Sequence, residues 1–402
     1  MQRVKDLHGG GFDEKLSYNS IRKGVEGGML LGKKVRLKLT KAQELKMWKS
    51  VGTARWVYNW TLARQQENYK QGKKFISDND LRKEITEMKQ LDDFNWLFDV
   101  SNNVAKQAVK DACEAYKKFF RGESKYPRFK SRKRSRLSFY NDTEKLKIKP
   151  NKRVLIEKVG WMQMSEQVPV GVKYWNPRVS FDGKYWYLSV GIEQTFKKEK
   201  LTDEIVGIDL GITTLAVCSN GNKVENINKT NEVRKIEKRL RRLQRSVSRK
   251  YDMNKEGDRY AKTCNCIKIE KQIRHLHRRL ANIRTNHIHQ ATNAIAKTKP
   301  CKVVMEDLNV QGMMKNRHLS KAIQRQKFQE FSRQMAYKCE KYGIEFMEVD
   351  RFFPSSKKCS ACDEIKKDLK LKDRLYICSC GLRIDRDLNA ALNLRKAGKL
   401  AA

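Results

Sequence analysis

Long apolar runs are missing from this 402-residue chain, and that absence removes two classes of protein at once. A membrane-spanning helix needs about 20 predominantly apolar residues in succession, whereas the apolar runs here last only a few residues. The amino terminus likewise has no continuous apolar segment of the kind a secretory signal requires. The sequence therefore predicts a cytoplasmic protein with no membrane partner. Cysteine is scarce too: ten residues, unevenly spread, are too few for a disulfide scaffold in so long a chain and direct attention to metal binding. Acidic residues are outnumbered, with 46 Asp and Glu against 88 Lys and Arg, a formal net charge of +42. Solubility needs no such excess, so the composition points to a polyanionic partner, nucleic acid, whose binding weakens as salt rises.

The length allows two or three folded units. Residues 1–28 carry Gly9-Gly10-Gly11 and Gly27-Gly28 with little periodicity and read as a disordered arm. From Lys34 to Leu39, Val35, Leu37 and Leu39 alternate with polar residues, as in a strand with one buried face. Thr40 and Gln43 have capping-box spacing at the start of a helix. A second helix follows Ser101, with Val104, Ala108, Ala112, Ala115 and Phe119 in one stripe. Residues 41–122 thus read as a helical recognition lobe. The stretch Tyr126 to Arg136 then mixes six cations, among them Arg128, Lys130, Arg132 and Arg134, with two aromatics, a composition suited to a nucleic-acid strand. Alternating segments joined by Asp182-Gly183 predict an antiparallel β module with a hairpin. The helices are expected as an insertion in a β-barrel-like domain, because one strand precedes them and the others follow.

In Val206-Gly207-Ile208-Asp209-Leu210-Gly211-Ile212 a single carboxylate sits in an apolar strand, and a buried charge of that kind needs a reason. Thr214 to Val217 and Val224 to Ile227, with a turn at Asn220-Gly221, complete a three-stranded meander. Glu306 ends a second apolar strand, Lys302 to Glu306, and Asp387 starts the last helix. Asp, Glu and Asp from three separate elements supply the oxygens that two Mg²⁺ (or Mn²⁺) ions about 4 Å apart require for phosphodiester hydrolysis. Asp385 competes with Asp387 for the third place. Asp387 is preferred because it directly precedes Leu388-Asn389-Ala390-Ala391, leaving Asp385 to cap that helix or support the metal from behind.

Between the first two acids, Glu232–Lys250 and Lys268–Lys297 have helical periodicity and form an expected antiparallel hairpin, with Arg242 and Arg245 among the cations of its outer face. Between the second and third acids, Cys359-Ser360-Ala361-Cys362 and Cys378-Ser379-Cys380 place four thiolates in two close pairs, fit for a tetrahedral structural Zn²⁺. The second pair is one residue shorter than usual, which strains the geometry.

The order of these motifs resembles that of the TnpB family of transposon-encoded proteins and of the compact type V CRISPR nucleases related to it. The likeness spans residues 30–398. It is carried by Leu37 to Leu39 with Gly52-Thr53-Ala54-Arg55-Trp56-Val57-Tyr58-Asn59-Trp60, Tyr126-Pro127-Arg128-Phe129-Lys130, Gly207-Ile208-Asp209-Leu210-Gly211, Met305-Glu306-Asp307-Leu308, Pro354-Ser355-Ser356-Lys357-Lys358-Cys359 and Asp385-Arg386-Asp387. The resemblance implies an α+β multidomain chain. Its parts are a β-barrel-like wedge domain over 29–40 and 123–200, the inserted lobe over 41–122, a split RNase H-like (RuvC) domain over 201–354 and 384–398, and a zinc-ribbon module over 355–383. It also implies a guide RNA from the protein's own locus, a double-stranded DNA target beside a short motif, and a monomeric ribonucleoprotein. By similarity, Ser77, Asp78 and Asn79 with Asn102, Asn103 and Lys106 read that motif. The sequence departs from the family at Asp363, where Gly is frequent, and at the short Cys378/Cys380 pair.

Overall fold

The computed structural model describes residues 28–196, 199–257, 259–370 and 373–400, so the expected arm over 1–28 lies, apart from Gly28, outside the described residues. The chain divides into two compact units between Thr195 and Phe196, a little before the boundary expected after residue 200.

In the first unit, β1 (Met29–Lys38) precedes three α-helices, α1 (Lys41–Lys70), α2 (Asp78–Met88) and α3 (Asn102–Phe120). Six strands follow: β2 (Leu137–Tyr140), β3 (Lys147–Lys149), β4 (Arg153–Ile156), β5 (Gly160–Met164), β6 (Tyr174–Phe181) and β7 (Trp186–Gln194). They form one sheet in the order β2-β6-β7-β1-β5-β4-β3. The strand before the helices lies in the middle of the strands after them, so the helices interrupt the β domain as the sequence order predicts. The sheet stays open, with β2 and β3 at its edges, rather than closing into a barrel. Val35 and Leu37 of β1 are buried with Met47 and Val51 of α1 in one core, which is the physical reason for their alternation. The capping box at α1 is present: the Gln43 N–H donates to Thr40 Oγ1 at 3.2 Å and the Thr40 N–H to Gln43 Oε1 at 3.1 Å. The β6–β7 hairpin turns at Asp182, whose Oδ1 accepts the N–H groups of Lys184 and Tyr185 at 2.9 and 2.8 Å.

The second unit is built on β8 (Thr202–Leu210), β9 (Thr214–Cys218) and β10 (Lys223–Glu225), the expected meander. Helix α4 (Asn231–Met253), a small hairpin of β11 (Lys255–Glu256) and β12 (Arg259–Tyr260), and α5 (Cys264–Lys297) lead to β13 (Pro300–Glu306). Next come α6 (Val310–Met313), α7 (Ser320–Gln326), α8 (Phe328–Tyr342) and β14 (Glu345–Val349), then β15 (Leu375–Ile377), β16 (Arg383–Asp385) and α9 (Arg386–Leu400). The main sheet runs β10-β9-β8-β13-β14, with β8, β13 and β14 parallel and β9 and β10 antiparallel. Central parallel strands are covered on both faces and so read as apolar runs. Val206, Ile208, Val303 and Met305 face Ile288 and Ile295 of α5 and Phe331 and Met335 of α8. On the other face Val304 packs with Leu394 of α9.

Helix α9 lies very close to that second face. A Cβ on Gly207 would stand 2.1 Å from the Ala391 carbonyl oxygen and 2.5 Å from the Arg395 nitrogen, and one on Gly398 would stand 2.5 Å from Val304 Cγ2. Only hydrogen at these two positions allows the helix to rest on β8 and β13.

Candidate active site and its thiol module

The close approach of α9 brings the acids together. Successive side chains of a strand point to opposite faces, so Gly207 and Asp209 share the face that α9 covers. On α9, Asp387 lies four residues before Ala391, one turn away on the same side of the helix. The carbonyl above Gly207 therefore fixes Asp387 near Asp209. Ile208 is level with Met305 across the parallel β8–β13 pair, so the next residues, Asp209 and Glu306, lie side by side near the ends of adjacent strands about 4.8 Å apart.

The electrostatics follow from this placement. Burial pushes the Asp209 carboxyl up to about 8, with the charges of Glu306, Asp387 and Asp385 adding to the rise and Arg386 opposing it. Burial also raises Glu306, against a hydrogen bond donated by Ser355 Oγ. Arg374 approaches Asp387, Nη1 to Oδ1 3.9 Å, and donates from Nη2 to Thr213 Oγ1 at 3.1 Å. Asp385 caps α9: its Oδ1 accepts the N–H groups of Asp387 and Leu388, both at 3.0 Å. Burial holds Asp209 and Glu306 toward the protonated form unless a cation arrives, and oxygen donors of this kind, with Asp387 beside them, suit a hard divalent ion. Among the described residues, their oxygens do not form a cluster within 4.8 Å of one another, as the four thiols do. A pair of ions about 4 Å apart needs donors spread more widely than a single ion does.

The sulfurs of Cys359, Cys362, Cys378 and Cys380 all lie within 4.8 Å of one another. Cys359 Sγ is 3.7 Å from Cys380 Sγ, and Cys362 Sγ is 3.5 Å from Cys378 Sγ. A tetrahedral Zn²⁺ with Zn–S bonds of about 2.3 Å has sulfurs roughly 3.8 Å apart, whereas a disulfide would bring them to about 2.0 Å. The shortened pair is accommodated by a tight turn: Gly381 has φ +91° and donates its N–H to the Cys378 carbonyl at 3.1 Å. Asp363 explains the other departure. It too adopts positive φ, +64°, which Asp tolerates better than most residues, and its carboxylate stands 3.5 Å from Lys358 and 3.3 Å from Lys396.

Sequence reasoning missed Asn389 and Asn393, which fasten this module to α9. Both are buried. Asn389 Nδ2 donates to the Lys358 carbonyl at 2.7 Å and its Oδ1 accepts the Ser360 N–H at 3.0 Å. Asn393 Nδ2 donates to the carbonyls of Ser355 and Lys358 at 2.7 and 2.6 Å. The available signal was two amides four residues apart on an otherwise apolar helix face, which demand buried partners.

The candidate nucleic-acid contacts are spread over both units. In the first, Ser77 caps α2 by accepting the Asp80 N–H at 3.2 Å, Asp78 pairs with Arg82 at 2.6 Å, and Asn79 is exposed. Asn102 accepts a hydrogen bond from Lys89, Asn103 Nδ2 lies 3.5 Å from Glu157, and Lys106 is exposed. Arg128, Arg132 and Arg134 are exposed, but Lys130 turns inward. Its ammonium lies 3.5 Å from the centre of the Tyr58 ring, burial pushes it down to about 8, and Asn59 brackets its backbone. In the second unit, Arg242 and Arg245 are exposed on α4.

The two units together define an α+β chain with a carboxylate site and a four-thiol module. Three sequence families match it in chain order: a helix-turn-helix domain of OrfB IS605 proteins over residues 29–74, the OrfB IS605 family described as "Probable transposase" over 187–317, and the Cas12f1-like TNB domain over 328–394. The Cas12f1 chain of a Cas12f1–sgRNA–target DNA complex shares the fold, with a TM-score of 0.56 at 16% identity over 88% of this chain and 82% of that one. A Streptomyces pristinaespiralis protein named "Putative RNA-guided DNA endonuclease" is 32% identical over 372 residues, 92% of this chain and 89% of its own length. Escherichia coli InsQ, of the same description, is 32% identical over 375 residues, 89% of each chain. The chain belongs to the TnpB family.

Proposed function

We propose that this protein is an RNA-guided DNA endonuclease of an insertion-sequence-type element, cutting double-stranded DNA beside a short adjacent motif through one RuvC site that depends on Mg²⁺. The observation that carries the reading is the gathering of Asp209, Glu306 and Asp387 at one end of a β10-β9-β8-β13-β14 sheet, the convergence of acids from three elements that two-metal phosphodiester hydrolysis requires. A role in DNA binding without cleavage would leave this costly burial of carboxylates without a purpose.

Bound at the carboxylates, Mg²⁺ would activate water on one side of the scissile phosphate and stabilise the leaving oxygen on the other. The chain's own groups prepare that chemistry. Asp209 releases its proton when positive charge enters, because burial and the neighbouring acids are what keep it protonated. Ser355 orients Glu306, and the capped first turn of α9 holds Asp387 in place. Four thiolates in the spacing of a structural Zn²⁺ site brace residues 355–393 beside the acids. The guide RNA and the DNA supply the polyanion that the charge of +42 anticipates, and the assembly is a cytoplasmic, monomeric ribonucleoprotein. The test is to replace the guide segment of the RNA that co-purifies with the protein. The cut is expected to move to the newly matched DNA, and a cut site indifferent to the guide would refute the proposal.

A further inference from the structure

We propose that Phe352 is a stacking residue that holds an unpaired base of the DNA strand next to the phosphate being cut. The identity of that strand rests on the endonuclease reading above, while the stacking surface itself rests on the geometry of one loop. The loop over 350–354 is tied to Glu306 at both ends. Val349 is level with Glu306 across the β13–β14 pair, and the Asp307 N–H donates to the Val349 carbonyl at 3.0 Å. At the other end Ser355 Oγ donates to the Glu306 carboxylate. Phe352 is three residues from either anchor, so its backbone cannot stand more than about 10 Å from them.

Within this short loop the backbone is fixed while the ring is not covered. Asp350 Oδ1 accepts the Phe352 N–H at 2.8 Å, and the Asp350 carbonyl accepts the Phe353 N–H at 3.0 Å. The Phe353 carbonyl in turn accepts the Ser355 N–H at 2.8 Å. Phe353 packs against Val304, Val349 and Leu394, yet Phe352 beside it is 86% exposed. An isolated exposed aromatic needs no explanation on a protein surface; this one is held on a hydrogen-bonded turn leashed to a carboxylate of the acid cluster. Arg351 pairs with Asp307, Nη2 to Oδ2 2.5 Å, which ties the loop once more beside Glu306, and the exposed Lys357 adds attraction for a phosphate backbone. An aromatic face among cations binds unpaired bases of any sequence, which suits an enzyme whose target is chosen by another molecule.

The test uses the full-length chain with its co-purified RNA, EDTA to prevent cutting, and a single-stranded deoxyoligonucleotide in which every adenine is 2-aminopurine, whose fluorescence is quenched on stacking. Wild type and Phe352→Trp are expected to quench it. Phe352→Ala and Phe352→Leu should lose that quenching and bind about tenfold more weakly, with melting temperature and zinc content unchanged. Equal quenching and affinity in all four proteins would overturn the proposal. Guided plasmid cutting by wild type in Mg²⁺ is read separately. Guided cutting without Phe352-dependent quenching removes the stacking role alone, whereas Phe352-dependent quenching without guided cutting removes the endonuclease reading alone.

Discussion

Asp209 is the residue at which burial, charge and chemistry meet. Its carboxyl is raised to about 8 from an unfolded value near 3.9, so the metal-free folded state favours the protonated form. That stabilisation is complete below about pH 4 and disappears as the pH rises to about 8. Metal-free wild type should therefore lose melting temperature between pH 5 and pH 8 relative to Asp209→Asn, which has no charge to bury. Mg²⁺ should reverse the difference at pH 8 in wild type only, and differential scanning calorimetry with and without EDTA measures both effects. The carboxylate itself was legible in the sequence because it interrupts an apolar strand. Its partner on α9 was chosen there only by position, and the structure adds the physical reason: Gly207 leaves no room for a side chain between strand and helix. Gly207→Ala should cost about 3 kcal/mol of stability and displace Asp387, so that chemical denaturation and guided cleavage fail together. The inward turn of Lys130 could not be read from its own segment, because Tyr58 and Asn59 lie on α1, Asn59 being 71 residues earlier in the chain.

At the scale of elements, α9 joins the acid cluster to the thiol module. One helix carries Asp387 at its first turn, Asn389 and Asn393 on the turns after it, and Gly398 against β13. The amphipathic strands, the capped helices and the Cys pairs were all visible in the sequence, since each repeats a local pattern. The amide clamp was not, because its partners are the backbone groups of Ser355, Lys358 and Ser360, and backbone groups leave no sequence trace. Removing zinc with a chelator, or replacing Cys359 by Ser, should expose residues 355–383 to hydrogen exchange and slow cleavage while leaving the first unit protected. Asn389→Ala should loosen the same segment with its zinc still bound, because it breaks the attachment and not the thiol site; mass-spectrometric exchange distinguishes the two.

For the whole molecule, charge is the property that length and composition predicted most directly. Lys and Arg exceed Asp and Glu by 88 − 46 = 42, and exposed cations lie on the loop before β2 and along α4. If six to ten of them meet phosphates, affinity for duplex DNA should fall by about 10³ to 10⁵ between 50 and 200 mM salt, measurable by fluorescence anisotropy. A nearly flat dependence would assign the excess charge to another use. The division after Thr195 and the open sheet were less legible, since strand pairing over long separations is set by packing rather than by any one segment. Whether Asp209, Glu306 and Asp387 cut DNA under RNA guidance is decided by incubating supercoiled plasmid bearing a guide-matched target with the purified ribonucleoprotein in Mg²⁺, in EDTA, and as Asp209→Ala. Linear product is expected in Mg²⁺ with wild type alone, and guided binding without cutting in the variant. Linear product from Asp209→Ala, or from wild type in EDTA, would refute the proposed role of the acids.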